Sequence, residues 1–148
     1  MKITIIGAGN MGGALIKGWA KKGVHELTIT ARTEKTLSRF SSEYPNIKTM
    51  LDNVEAVKDA DVIVIAVKPW LVETVINEIK VNIDFKRQNI LSVAAKVLTD
   101  QLRTYLGEPD AKVLYVMPNI GAEYNESMTF LAPASGVCEE VTANMKEL

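Results

Sequence analysis

Apolar positions divide this chain into short blocks that alternate between two periods. Ile3 to Ile6 is an apolar run that stops at Gly7, as a short strand does. From Met11 to Lys22 the spacing turns helical, with Ala14, Leu15, Gly18 and Trp19 on one face and Gly23 as a stop. Gly18 costs helix propensity, and close packing against a sheet is the expected reason. Glu26 to Thr30 predicts a second strand. Glu34 to Tyr44 predicts a second helix, with Leu37, Phe40 and Tyr44 on one side and Pro45 as its end. A short strand is expected over Ile47 to Met50. Asp52 and Glu55 have the spacing of a capping box for a third helix.

Val62 to Val67 is an unbroken apolar run, the pattern of a central parallel strand covered on both faces. Lys68-Pro69 breaks it, and Pro69 suits the first position of the next helix, whose inward residues are Val72, Val75, Ile76 and Ile79. Asn89 to Val93 predicts another strand, with Ala94-Ala95-Lys96 as its exit. Thr99 is expected to cap a helix that turns Leu102 and Leu106 inward and ends at Gly107. Lys112 to Met117 is a strand broken by Pro118-Asn119. A polar turn, Gly121 to Glu126, separates it from a strand over Met128 to Ala132. From about Val137 a helix begins, with Val141, Met145 and Leu148 on one side.

Strands alternating with helices imply a Rossmann-like α/β fold: a doubly wound, mainly parallel sheet with helices on both faces. We expect a dinucleotide-binding domain over residues 1–134 and the start of a further helix over 135–148.

Composition narrows the function classes. With 47% hydrophobic residues, 24% charged residues and a net charge of −1, the chain reads as soluble and globular, without the basic run that a nucleic-acid or membrane surface requires. No apolar stretch is long enough to span a bilayer, and the first residues enter a strand directly, which leaves no room for a leader. The lone Cys138 excludes an internal disulfide and fits a reducing, cytoplasmic setting. Cys138 is expected to be a small packing residue, and the lone His25 a surface loop residue. One Cys and one His are too few for the usual Cys/His metal-ligand set, so no metal site is assigned.

The candidate chemistry lies in Gly7-Ala8-Gly9-Asn10-Met11-Gly12. This is G-x-G-x-x-G between a strand and a helix, the context in which it binds a pyrophosphate. Gly7 permits the turn, Gly9 lets the backbone approach the phosphates, and Gly12 lets helix and strand pack closely. The helix start offers amides and a positive dipole to the anion. The second strand ends in Ala31-Arg32-Thr33. It has no carboxylate there to hold a ribose 2′-hydroxyl, but it has a guanidinium fork suited to a 2′-phosphate. The expectation is NADP, with NADPH preferred over NADH. Lys68-Pro69, Ala94-Ala95 and Pro118-Asn119 all fall at the carboxyl ends of strands, where such sheets bind ligands.

The ordered set Gly7 to Gly12, Asp61 into Ala66-Val67-Lys68-Pro69, Ser92-Val93-Ala94-Ala95 and Met117-Pro118-Asn119 resembles the N-terminal half of pyrroline-5-carboxylate reductases. Those enzymes reduce a cyclic imine to proline with NAD(P)H. The resemblance implies that Gly7, Ala8, Gly9, Asn10, Met11 and Gly12 hold the pyrophosphate and that Arg32 and Thr33 meet the adenosine phosphate. It implies that Asn53 contacts the adenosine side, while Ala66, Val67, Lys68, Pro69, Ala94 and Ala95 line the path to the nicotinamide. It also implies an imine substrate, a role in proline biosynthesis, and a homo-oligomer formed through a helical C-terminal domain that these residues do not include. Hydride transfer to a protonated imine needs positioning more than side-chain chemistry, so no catalytic residue is named. The sequence departs from the family at Lys96, where Gly is usual, and at Ile120-Gly121, where Thr-Pro is usual. Two other readings stay open: another imine or β-hydroxy-acid reductase, or a module that senses NADP(H) without catalysis.

Overall fold

The computed structural model describes residues 1–148. Seven strands form one sheet in the order β3-β2-β1-β4-β5-β6-β7. They are β1 (Lys2–Ile6), β2 (Glu26–Thr30), β3 (Lys48–Met50), β4 (Val62–Ile65), β5 (Asn89–Ser92), β6 (Val113–Met117) and β7 (Phe130–Pro133). Every neighbouring pair is parallel except β6 and β7. The expected doubly wound, mainly parallel fold is therefore the one formed.

The helices α1 (Asn10–Lys22), α2 (Glu34–Glu43), α3 (Asn53–Val57), α4 (Val72–Ile79), α5 (Thr99–Leu106) and α6 (Glu139–Lys146) cover both faces. Leu15, Ile16 and Trp19 of α1, Leu37 and Phe40 of α2 and Met145 of α6 share one core cluster. Val57, Val72, Ile76, Ile79, Leu102 and Leu106 from α3, α4 and α5 pack on the opposite face. All four residues of β4 are buried, as its unbroken apolar run requires. Consecutive strands leave β1 in opposite directions, so the topology switches between β1 and β4. The pairings Thr30–Ile6, Ile6–Ile65 and Ile65–Ser92 bring four strand exits to that one edge.

Buried polar groups fix α3 against the sheet. Thr4 Oγ1 donates to the Ala56 carbonyl at 2.6 Å, and Gln88 Nε2 donates to Val57 and Ala60 at 2.6 and 2.7 Å. Asp61 lies at the amino edge, where it accepts the Lys2 amide at 2.8 Å and the Arg87 guanidinium at 3.2 Å. These contacts link the start of β1 to the Arg87 turn at the edge opposite the crevice.

Several local expectations are corrected. The β4 ladder ends at Ile65, and Ala66 and Val67 belong to its exit, although the Ala66 amide still donates to Ile6 at 2.9 Å. Asp52 caps α3 by accepting from the amides of Val54 and Glu55, but Glu55 pairs forward with Lys58 instead of closing the box. Pro69 opens a 3-10 turn, Pro69–Leu71, and α4 starts only after it. Thr99 does not cap α5. Leu98 occupies that position without a side-chain bond, and Thr99 is the first helical residue. The polar stretch after Asn119 is a 3-10 helix, Ile120–Tyr124, ended by Asn125 at φ 58°. Gly18 serves this element and not the sheet, because a Cβ on it would lie 2.1 Å from the Ala122 carbonyl oxygen. In the tail, Met145 is buried and Trp19 Nε1 donates to the Leu148 carbonyl at 2.8 Å.

Cys138 is exposed at the start of α6, since the apolar side of that helix begins at Val141. His25 does lie between α1 and β2, but both ring nitrogens are buried without a hydrogen-bond partner. Burial lowers its pKa from 6.5, helped by the Met1 amino group and Lys22. The unfolded chain then takes up the proton first as pH falls, so the neutral ring adds stability above pH 6.5 that is lost toward the lower folded value. Urea midpoints measured from pH 7.5 downward should fall through that window, and His25→Leu should flatten the fall.

Candidate coenzyme crevice

Gly7 ends β1 at φ 101°, and its amide donates to the Thr30 carbonyl at 3.1 Å. Any side chain here is strained, and a Cβ would also lie 2.8 Å from the Ala66 carbonyl oxygen. At Gly12 a Cβ would lie 2.0 Å from the Gly7 carbonyl oxygen, so the turn folds tightly onto the helix start. Gly9 is different. It precedes α1 in an extended conformation, is exposed, and a Cβ would meet no atom of the chain within 4 Å. The first bond of the helix runs from the Gly13 amide to Gly9 at 2.7 Å, so the amides of Asn10, Met11 and Gly12 are free at a positive helix end. No acidic residue lies in that first turn. The cradle fits a diphosphate: open space, free donors, no competing carboxylate.

The other residues singled out from the sequence lie along the same strand exits. Gly7 and Gly12 adjoin Ala66 and Val67. Lys68 is exposed beside them, and Trp70, just beyond Pro69, is 75% exposed. Ala94 is buried, Ala95 is exposed, and the Val93 amide donates to Ile65 at 3.1 Å, which places this exit beside that of β4. On the other flank Arg32 is exposed after β2. Thr33 caps α2: its Oγ1 accepts from the Thr36 amide and lies 3.0 Å from Thr36 Oγ1. Asn53 bridges the β2 exit and α4, accepting from Thr30 Oγ1 at 2.6 Å and donating to Glu78 at 3.0 Å. Arg32, Thr33 and Asn53 thus share the β2–β3 flank, whereas Ala66 to Pro69 and Ala94-Ala95 form the β4–β5 flank, with the glycine turn between them.

Lys96 has φ 67°, a left-handed conformation that suits glycine. The sequence departure therefore falls where a side chain strains the backbone. Lys96→Gly should raise stability by roughly 0.5–1 kcal/mol, the strain relieved less the extra freedom of unfolded glycine. A rightward shift of the urea midpoint would show it.

A cleft of about 750 Å3 opens beside the glycine turn. Its walls include Lys17 of α1, Lys35, Thr36 and Arg39 of α2, and Glu123 of the 3-10 helix, none of them singled out from the sequence. Their signal was available in part, since Asn10, Gly13, Ala14 and Lys17 continue one helical face of the glycine motif. Lys17 pairs with Glu123 at 2.9 Å, and that hydrogen bond raises the lysine pKa. A second cavity of about 390 Å3, lined by Trp19, Leu131, Met145 and Leu148 among others, contains none of the sequence-assigned site residues. No helix is long and apolar enough to cross a membrane.

Residues 2–96 match the family model described as NADP oxidoreductase, coenzyme F420-dependent. The chain belongs to that family. Within it, the expected likeness to pyrroline-5-carboxylate reductases is found. The enzyme of Vibrio alginolyticus is 34% identical over 152 residues, covering 99% of this chain and 54% of the relative. That of Escherichia coli K12 is 32% identical over 147 residues, covering 97% and 54%. Among solved structures, a pyrroline-5-carboxylate reductase from Coxiella burnetii is 27% identical with a TM-score of 0.87, covering 98% of this chain and 53% of that one. A Plasmodium falciparum pyrroline carboxylate reductase with NADP bound has a TM-score of 0.85 at 23% identity, covering 99% and 53%, and shares the fold. The chain thus spans about half the length of the curated relatives it matches.

Proposed function

We propose that this chain is the NADP(H)-binding half of a pyrroline-5-carboxylate reductase, an oxidoreductase that reduces a cyclic C=N bond to give proline. The observation that carries the reading is Gly9: open space over free helix-start amides, at a position where nothing in the fold itself demands glycine. The relatives supply the reaction.

When bound, NADPH supplies the hydride. The chain's own residues hold and orient it. Gly7 to Gly12 take the pyrophosphate, Arg32 and Thr33 take the adenosine phosphate, and Asn53 stands on the adenosine side. Ala66 to Pro69 and Ala94-Ala95 set the path of the nicotinamide. The imine pocket and the homo-oligomer contact would belong to a helical domain following residues 1–134, with 135–148 as the first part of the connection. A cytoplasmic setting belongs to the same reading.

Two measurements test it. Titration of the 148-residue chain should quench protein fluorescence and enhance that of NADPH in a saturable way. Absence of NADPH binding would end the coenzyme reading. The longer encoded polypeptide should oxidise NADPH only when pyrroline-5-carboxylate is added, and indifference to that imine would end the substrate reading. Within the site, Arg32→Asp should weaken NADPH by about tenfold or more while leaving NADH nearly unchanged, the loss of a charge-assisted contact to phosphate. Equal losses for both coenzymes would remove Arg32 from phosphate recognition. The strained Lys96 and the replaced turn at Ile120-Gly121 favour one second reading, a module that binds NADP(H) without catalysis. Tight NADPH binding with no imine-dependent turnover by the longer polypeptide is its signature.

A further inference from the structure

Two lysines stand at the exits of β4 and β5, on the flank away from Arg32. Lys68 follows Ala66 and Val67, which adjoin Gly7 and Gly12, and Lys96 follows Ala94 and Ala95. Adjacent strands deliver them: β4 pairs with β5 through Ile65 and Ser92, and the Val93 amide donates to the Ile65 carbonyl at 3.1 Å. Lys96 is the third residue of a turn closed by the Val97 amide, which donates to the Ala94 carbonyl at 3.4 Å. A positive φ at that position calls for glycine or asparagine. Asn125 is the one other non-glycine residue with a positive φ, and asparagine tolerates it. Ala94 and Val97 are both buried, so the turn is fixed on either side and the lysine takes the strained conformation between them. Both lysines are exposed, and no carboxylate answers their ammonium groups. Residues 66–72 and 93–99 contain no acid, and the ion pairs of the chain are Lys17–Glu123, Lys58–Glu55 and Arg87–Asp61. Glu73 and Asp100, the next acids along the chain, sit in the first turns of α4 and α5.

We propose that Lys96 makes the site selective for the redox state of its coenzyme, favouring the reduced form over the oxidised one. The inference rests on the coenzyme reading, in which the β4–β5 flank takes the nicotinamide. NADPH and NADP+ carry the same phosphates and differ at the ring, which is neutral in the first and positively charged in the second. An ammonium group at that end repels the oxidised ring and leaves the reduced one alone, and Lys68 acts in the same sense. Attraction of Lys96 to the phosphates is common to both forms and cancels in the ratio of their affinities. Glycine at this position would be free of strain and uncharged, so the lysine gives up backbone ease for electrostatic selectivity. For a reductase the consequence is direct: the reduced coenzyme is retained until an imine arrives, and the oxidised coenzyme leaves faster after transfer.

The test measures dissociation constants of NADPH and NADP+ for the 148-residue chain and for Lys96→Gln, Lys96→Gly and Lys96→Arg, with NADPH followed by its fluorescence and NADP+ by displacement of NADPH. Lys96→Gln removes the charge and keeps a side chain on the strained backbone. Lys96→Gly removes charge and strain together, and Lys96→Arg keeps both. At low salt the ratio of the NADP+ to the NADPH dissociation constant should fall about fivefold in Lys96→Gln and Lys96→Gly, and stay within about twofold in Lys96→Arg. The NAD+ to NADH ratio should fall by a similar factor, because the adenosine phosphate takes no part. Salt at about 0.5 M should shrink the difference, since the lysine is exposed. Urea midpoints at or above that of the unaltered chain show that the variants are folded. A ratio unchanged within about twofold in Lys96→Gln overturns the proposal, whether or not Lys96→Gly responds, because a response to glycine alone belongs to backbone strain. An unchanged ratio with NADPH still bound leaves the coenzyme reading standing. If the unaltered chain binds neither form, that reading fails and the proposal falls with it.

Discussion

Gly12→Ala should destabilise the chain by about 3 kcal/mol and abolish NADPH binding, whereas Gly9→Ala should fold normally and lose the coenzyme alone. The two substitutions add the same methyl group three residues apart, and the structure separates their effects on stability. At Gly12 the new carbon would lie 2.0 Å from the Gly7 carbonyl oxygen and 3.0 Å from Ala66 Cβ. No flexible side chain is available to yield, so β1, the turn and α1 must part, with a cost at or above the usual range for overpacking. At Gly9 the carbon meets nothing within 4 Å, and φ −77°, ψ −157° is ordinary extended backbone. Stability should stay within ~0.5 kcal/mol. The methyl instead occupies the volume a phosphate needs above the free amides, with an expected loss of about 100-fold in affinity, or ~2.7 kcal/mol. Urea unfolding and NADPH fluorescence, run on both variants, separate fold from ligand at one motif. Undiminished NADPH affinity in Gly9→Ala would show that no phosphate approaches that backbone.

The elements legible in the sequence are those whose signals are local. Glu26 to Thr30 reads as a strand and is one, and α1 ends at Gly23 as expected. The glycine motif is likewise local, since its turn, helix start and strand are contiguous in the chain. What is not legible is the choice among competing partners, some near in the chain and some distant. Thr99 has the chemistry of a cap, but the chain turns into α5 one residue earlier, at Leu98. Glu55 has the spacing to complete a box and finds Lys58 instead. His25 follows Gly23 and so reads as a surface loop residue; it does lie between α1 and β2, but both its ring nitrogens are buried. In the site, Lys35 and Arg39 are recognisable as a cationic pair, but their approach to the glycine turn follows from Phe40 packing against Gly13. No pattern within α2 states that contact. Asn53 was placed on the adenosine side, and the structure adds its two anchors, Thr30 and Glu78, from β2 and α4.

The same dependence on distant contacts makes Gly18 the second position of large effect. Gly18→Ala should cost about 3 kcal/mol, although it improves helix propensity by about 1 kcal/mol in the abstract. Its Cβ would lie 2.1 Å from the Ala122 carbonyl oxygen, 3.2 Å from Ala122 C and 3.3 Å from Asn125 Oδ1. The first two are backbone of the 3-10 helix Ile120–Tyr124, so α1 and that helix must separate by more than an ångström for the methyl to fit. Separation also breaks the contacts made by flanking lysines: Lys17 to Glu123 at 2.9 Å, Lys21 Nζ to the Glu123 carbonyl at 3.1 Å, and Lys21 over the Tyr124 ring at 4.7 Å. Glu123→Gln is the informative control. It removes one partly exposed ion pair and leaves the backbones in contact, so it should cost far less than Gly18→Ala. A lower urea midpoint in Gly18→Ala and a nearly normal one in Glu123→Gln would establish that backbone approach, and not charge, fastens the 3-10 helix to α1. Equally lowered midpoints in the two variants would abolish that ranking. Because this helix begins directly after Met117-Pro118-Asn119, at the exit of β6, its displacement should also weaken NADPH binding in Gly18→Ala while the glycine turn itself is unaltered.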